Sequence, residues 1–163
     1  MSETSISKQS RRVILSGYFF YTGICFASWA SRIPDIKLAL GLTDAQFGGM
    51  LLFLPLGSFL GIPISGSLTA RHGSNKMLKI ASILYPLSLV NIGWAANTSV
   101  IHLGLALFIF GMVGNLFNVS VNTQAVELAK LFEKSIISSF HGFWSLAGFV
   151  GGLVGSYFIA KSM

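Results

Sequence analysis

The chain has 163 residues, of which 53% are hydrophobic and only 10% are charged, and its mean hydropathy is +0.72. Soluble domains carry about 25% charged residues, so this composition argues against a soluble globular protein and excludes a disordered one. An all-α membrane protein with several spans is the class that remains, since the alternating runs of about ten residues typical of a transmembrane β-barrel are not seen.

Five stretches are apolar enough to cross a bilayer, which takes about 20 residues of α-helix. Within one membrane domain over residues 1–163, they predict transmembrane helices at residues 13–31, 45–70, 78–96, 99–126 and 136–160. The third and fourth helices are separated at residues 96–99, a polar turn sequence. The first span is too long for the apolar core of a signal peptide, so we interpret it as a retained helix.

The first loop carries signals for structure of its own. Pro34 suits the first turn of a short helix, and Gly41 can end that helix. Thr43 and Gln46 then predict a capping box at the start of the second span. A simple connector between the two spans is the alternative.

Eleven Lys and Arg residues oppose five Asp and Glu residues, giving a net charge of +6. With a cytoplasmic N-terminus, most of the basic residues lie on the inner side, which is the bias expected of a bacterial inner-membrane protein. The inner group is Lys8, Arg11, Arg12, Arg71, Lys76, Lys79, Lys130 and Lys134, and the outer group is Arg32, Lys37 and Lys161. Since no basic stripe with interleaved aromatic residues is present, the expected partner is the lipid bilayer and not nucleic acid.

Motifs for catalysis and metal binding are missing from the sequence. Neither a Ser-His-Asp set, an H-E-x-x-H sequence nor a phosphate-binding glycine loop is found, so we expect no enzyme and no cofactor. Cys25 is the single cysteine, which excludes an intramolecular disulfide and a C-x-x-C metal site. No Asp or Glu lies deep in a span, which argues against a proton relay built from acidic residues.

The fourth span carries three amides on one helical face. Asn115, Asn118 and Asn122 are spaced i, i+3 and i+7, and amides turned toward lipid would be costly. They therefore predict the wall of a polar cavity that contacts a solute, with interhelical hydrogen bonding as the alternative. Tyr21, on a similar stripe of the first span, is a further candidate for solute contact, although aromatic packing explains it slightly better.

The fifth span combines a histidine with five glycines, four of which form two spaced pairs. His141 is the inward-facing side chain whose pKa ordinarily lies near neutrality, which makes it a candidate for carrying a coupling proton; capping or packing is the alternative. The pairs Gly148, Gly152 and Gly151, Gly155 have the small-x-x-x-small spacing that lets a neighbouring helix approach closely.

The loop between the second and third spans resembles the G-x-x-x-D-R-x-G-R-R/K signature of the major facilitator superfamily of transporters. Gly66, Arg71, Gly73 and Lys76 match it, whereas Ala70 stands where the family usually has Asp. Residues 31–48, 122–127 and 139–145 are similar to segments of a poorly characterised, sugar-permease-like branch of that family. The resemblance implies a fold of twelve helices in two halves, of which this chain supplies five.

The resemblance also implies transport of a small polar, sugar-like solute by alternating access, with the first and fourth helices lining the cavity. Transport would then require the missing second-half helices, from the same chain or another. Arg71 and Glu127 lie at inner helix ends, where they are candidates for a gate pair. A non-transporting membrane interaction protein, or a degenerate transporter fragment, is the alternative.

Overall fold

The computed structural model describes residues 7–161, which form α-helices joined by short turns and include no strand. The helices are α1 (Lys8–Ser31), α2 (Ile33–Ala39), α3 (Asp44–Leu51), α4 (Phe53–His72), α5 (Ser74–Ala95), α6 (Val100–Ala129) and α7 (Ile137–Ala160). In this described part, five helical units are long and apolar enough to span a bilayer: Lys8–Ala39, Asp44–His72, Ser74–Ala95, Val100–Ala129 and Ile137–Ile159. The protein is therefore an all-α, polytopic integral membrane protein.

Local signals account for where several helices begin and end. The Ser7 hydroxyl accepts a hydrogen bond from the Ser10 amide, so α1 begins before the apolar stretch that follows it. The predicted loop helix is present as α2, and Gly41 adopts a φ of 62° after it. The predicted capping box of Thr43 and Gln46 begins α3.

The second span consists of two helices, α3 and α4, which meet at Leu52. Pro55 has no amide hydrogen, and its ring crowds the carbonyl group four residues earlier, that of Leu51. The break at Leu52 coincides with this missing hydrogen bond, whereas Pro63 and Pro86 lie inside α4 and α5 without dividing them. A proline signal in the sequence therefore marks the break, although the stretch of residues 45–70 is uniformly apolar.

Helix α4 packs along α6 in the same direction, and the contact depends on glycine. A Cβ atom added at Gly57 would collide with the carbonyl oxygen of Phe108, and one added at Gly111 would collide with that of Leu54. Because both positions lack a side chain, the two backbones lie in direct contact. Helix α5 runs antiparallel on another side of α6, with Tyr85 stacked on Phe110 at 4.6 Å between ring centroids.

Helix α1 packs along α7, also in the same direction. A Cβ atom at Gly151 would lie 2.6 Å from the Cβ of Ala27, and one at Gly155 would collide with Ser31. The predicted close approach is therefore made by the Gly151, Gly155 pair. Gly148 and Gly152 have no atom within 4 Å of an added Cβ, so this second pair faces away from α1 in the described part of the chain.

Candidate functional site

A cavity of about 380 Å³ lies between α1, α4, α6 and α7. Its lining combines polar side chains with aromatic rings. The polar residues are Thr22, Ser58, Asn115, Asn118, Asn122 and His141, and the aromatic ones are Phe19, Phe26, Tyr85, Phe110 and Trp144. No Lys, Arg, Asp or Glu is among the described residues that line it.

The three amides of α6 face this cavity because the opposite side of the helix is occupied by its packing against neighbouring helices. Phe117 and Ser120, between the Asn positions in sequence, are both buried at 0% exposure and are not among the described residues that line the cavity. The i, i+3, i+7 spacing then directs all three amides to the remaining side. The structure thus brings Asn115, Asn118 and Asn122 together along one cavity wall.

Asn118 and Asn122 form an ordered pair on that wall. The Asn122 Nδ2 donates to the backbone carbonyl oxygen of Asn118 at 2.9 Å and also contacts the Asn118 Oδ1. Among the described residues, the Asn118 Nδ2 and the Asn122 Oδ1 have no protein partner. One hydrogen-bond donor group and one acceptor are therefore turned toward the cavity.

Asn115 is held by the neighbouring helix. Its Nδ2 donates to the Ser58 hydroxyl of α4 at 3.5 Å, whereas its Oδ1 is buried and has no hydrogen-bond partner in the part of the chain that is described. A buried polar atom without a partner costs about 1–3 kcal/mol. The Asn115 Oδ1 is thus an acceptor that is available to a hydrogen-bond donor of another molecule.

Tyr21 does not line the cavity. Its hydroxyl donates to the Ser82 carbonyl oxygen of α5 at 2.8 Å, and its ring lies 6.0 Å from that of Phe117. Tyr18, one turn earlier, contacts the same Phe117 ring. This stripe of α1 therefore joins α1 to α5 and α6, in agreement with the aromatic-packing interpretation.

The face of α1 that does reach the cavity carries Phe19, Thr22 and Phe26, which sequence reasoning missed. Phe26 approaches Trp144 of α7 with 6.3 Å between ring centroids. The i, i+3, i+7 spacing of these three α1 residues was a usable signal, but their lower polarity makes it less conspicuous than the tyrosine stripe.

His141 of α7, which the sequence analysis named as a candidate for carrying a coupling proton, also lines the cavity. The centroids of the His141 and Phe19 rings are 5.3 Å apart, and the ring planes meet at 76° in an edge-to-face arrangement. His141 is an exposed residue of the cavity lining. The position brings a titratable group within the same space as the α6 amides.

The signature loop lies at the opposite end of α4 from the Leu52 break. Gly73 has a φ of 81° and joins α4 to α5, while Gly66, Arg71 and Lys76 are exposed. The positive φ explains why glycine is required at this turn. In the described part of the chain the ion pairs are Arg32–Asp35 and Lys37–Asp44.

Arg71 and Glu127 are thus not joined by an ion pair among the described residues. Glu127 instead accepts from the Gln124 side chain at 3.5 Å, and Gln124 also donates to Ser74 at 2.6 Å. Ser74 is the first residue of α5. The structure therefore connects Glu127 through Gln124 to the start of α5.

Comparison with known proteins relates the chain to membrane transporters. It is 35% identical over 139 residues to an uncharacterised transporter of Sinorhizobium fredii, covering 85% of this chain and 36% of that relative. It is 35% identical over 133 residues to an uncharacterised MFS-type transporter of Yersinia pestis, covering 82% and 34%. It is 31% identical over 150 residues to the membrane protein MosC of Rhizobium meliloti, covering 89% and 36%.

The chain thus spans about a third of the length of each of these relatives. No family model matches the chain, and no solved structure matches it. The relationship accordingly rests on sequence identity over most of this chain.

Proposed function

Because the chain belongs to the major facilitator superfamily, we propose that it forms part of a transporter that moves a small polar solute by alternating access. The cavity between α1, α4, α6 and α7 carries this proposal, since three amides of one helix turn into it. The chain spans about a third of its relatives, so further helices, in the same chain or another, would complete the transporter.

The hydrogen bonds of the amides favour solute contact over helix adhesion. Among the described residues, Asn115 is the one of the three that bonds to another helix, over 3.5 Å, whereas Asn122 bonds within α6. Interhelical side-chain hydrogen bonds contribute about 0.6 kcal/mol on average. A single long bond of this kind does not account for three amides on one face, and a polar solute does.

His141 is our candidate for coupling transport to protons, because it is titratable and lies at the cavity. Replacement by Gln should retain solute binding and remove the dependence of uptake on a proton gradient. Uptake by H141Q that still follows the gradient would exclude this role.

We place the N-terminus of the chain in the cytoplasm of a bacterium, with the protein in its inner membrane, on the basis of the charge bias of the loops. Arg71 and Glu127 then belong to the cytoplasmic side and serve as a gate pair that forms in another state of the cycle. Charge reversal in the complete transporter tests the pair. R71E and E127R should each reduce uptake, and the double variant should restore it; failure of the double variant to do so would refute the pair.

A non-transporting interaction protein is the second candidate, favoured by the open face of α7. Gly148 and Gly152 face no neighbour within residues 7–161, and large apolar residues of the same helix, such as Phe149, are exposed. A partner helix would bury this face in either case. Binding of a solute is what distinguishes the two functions.

The test is thermal unfolding of the complete transporter, this chain together with the further helices, in detergent with a panel of sugars, polyols, amino acids and organic acids. A solute at ten times its Kd stabilises the folded state by about 1.4 kcal/mol. Transport predicts stabilisation by one solute class, which N118L should abolish. The matched control is N97L, at an exposed asparagine of the α5–α6 turn whose side chain donates to the Gly93 carbonyl oxygen and is not among the described residues that line this cavity. No stabilisation by any class would favour the interaction protein.

A further inference from the structure

We propose that Tyr21 and Pro86 form a conformational lock that joins α1 to α5 beside the cavity. The Tyr21 hydroxyl donates to the backbone carbonyl oxygen of Ser82 at 2.8 Å. In this lock, α1 supplies the hydrogen bond that the proline removes from α5. The inference concerns how the helices are held together, so it does not depend on the identity of any solute.

Pro86 determines which carbonyl group of α5 needs a donor from outside the helix. In an α-helix each amide donates to the carbonyl oxygen four residues earlier, which for position 86 is that of Ser82. Proline has no amide hydrogen, so this donor is missing although α5 continues from Ser74 to Ala95. Tyr21 thus donates to the carbonyl group that the proline deprives of its helical partner.

A carbonyl group without a donor is especially unfavourable at this position. Ser82 lies within the span Ser74–Ala95, where lipid offers no hydrogen bonds to the backbone. The Ser82 hydroxyl is itself engaged, since it donates to the Lys79 carbonyl oxygen at 2.8 Å. The tyrosine of the neighbouring helix therefore stabilises the proline-containing segment of α5.

Aromatic packing holds the Tyr21 hydroxyl in its position. The Tyr21 ring lies 6.0 Å from that of Phe117 of α6, and Tyr85 of α5 contacts the same Phe117 ring at 5.9 Å between centroids. Phe117 is fully buried. Movement of the tyrosine away from Ser82 would therefore disturb contacts among three helices.

Tyr85 connects the lock to the cavity wall. It immediately precedes Pro86, lines the cavity, and stacks on Phe110 at 4.6 Å between ring centroids. An added Cβ at Gly114 would lie 3.1 Å from the Tyr85 ring, so this glycine leaves the room that the ring occupies. Helices bend sharply where a proline interrupts their hydrogen bonds. A change of bend at Pro86 would shift Tyr85, and the hydrogen bond from Tyr21 opposes that change.

The chain supplies a matched control for each partner of the lock. Tyr18 lies one turn before Tyr21 and also packs against Phe117, but its hydroxyl has no hydrogen-bond partner among the described residues. Pro63 lies inside α4 as Pro86 lies inside α5. Within residues 7–161, no side chain donates to the carbonyl oxygen four residues before Pro63.

Hydrogen–deuterium exchange of the complete transporter, this chain together with the further helices, tests the lock. The amides to follow are those of residues 87–89, whose helical acceptors lie before the proline. Y21F should make them exchange about fivefold faster, which is the effect of losing one ordinary hydrogen bond. Y18F should leave their exchange within about twofold of the parent protein. An effect of Y18F as large as that of Y21F would assign the stabilisation to ring packing and overturn the lock.

Replacement of the proline separates the lock from simple adhesion between helices. P86A supplies a backbone amide to the Ser82 carbonyl group, so adding Y21F to P86A should change the exchange by less than about twofold. Added to P63A, Y21F should still give about the fivefold effect. P86L restores the same amide with a different side chain and serves as the second variant. An equal effect of Y21F with and without Pro86 would overturn the inference, and so would the absence of any effect of Y21F in the parent protein.

Discussion

Replacing Gly151 by alanine should destabilise the protein, whereas the same change at the adjacent Gly152 should not. Both residues are in α7, and both gain one methyl group. The methyl group at Gly151 would lie 2.6 Å from the Ala27 Cβ, while that at Gly152 would have no atom of the described chain within 4 Å. Because helix and substitution are the same, the pair isolates the close contact between α1 and α7.

The magnitude follows from two opposing contributions. Carbon atoms pack at about 3.5–4.0 Å, so α1 and α7 must separate by about 1 Å, and overpacking of this kind costs about 1–3 kcal/mol. Alanine in place of glycine gains about 1 kcal/mol of helix propensity at either site. The expected difference between the two variants is therefore about 1–3 kcal/mol, with G152A equal to or more stable than the parent chain.

Thermal unfolding in detergent, followed by loss of helical circular dichroism, measures this difference. For a chain of this size, each kcal/mol corresponds to about 2–4 °C in Tm. G151A should thus melt below G152A by several degrees. Equal melting temperatures would show that the α1–α7 contact is not as close as described, and a lower Tm for G152A would contradict the reasoning about its open face.

Three further changes test other parts of the fold by the same melting measurement. G57A should destabilise because the added methyl collides with Phe108, whereas G66A, at an open site of α4, should not; equal effects would refute the α4–α6 contact. Y21F should cost about 1 kcal/mol through the lost bond to α5 and leave solute binding unchanged, so a selective loss of binding would restore Tyr21 as a solute ligand. T43A should cost about 1 kcal/mol by removing the capping box, and an unchanged Tm would show that α3 does not depend on it.

The features that sequence reasoning predicted correctly depend on neighbours in the chain. The apolar stretches predict spans because a helix satisfies its own backbone groups in lipid. Pro34, Thr43 and Gln46 act within one helical turn, so their signals require no tertiary contact. The shared face of the α6 amides follows from helical periodicity alone.

The identity of the cavity-lining face of α1 could not be obtained in this way. The stripe with Tyr21 is the more polar one, yet it packs against α5 and α6, and the stripe with Phe19 and Phe26 reaches the cavity. Sequence polarity indicates which residues avoid lipid. It does not show whether such a residue packs against a neighbouring helix or lines a cavity.

Composition and periodicity are properties of single segments, so they were sufficient to predict a bundle of membrane-spanning helices and an amide-bearing face on the fourth of them. Helix packing, by contrast, brings Gly151 and not Gly152 into contact with α1, and it leaves the Asn115 Oδ1 without a partner among the described residues. These outcomes depend on contacts between residues far apart in the chain, such as Ser58 with Asn115. The rotation and neighbours of each helix are selected by the packing of all the spans together, which no single segment specifies.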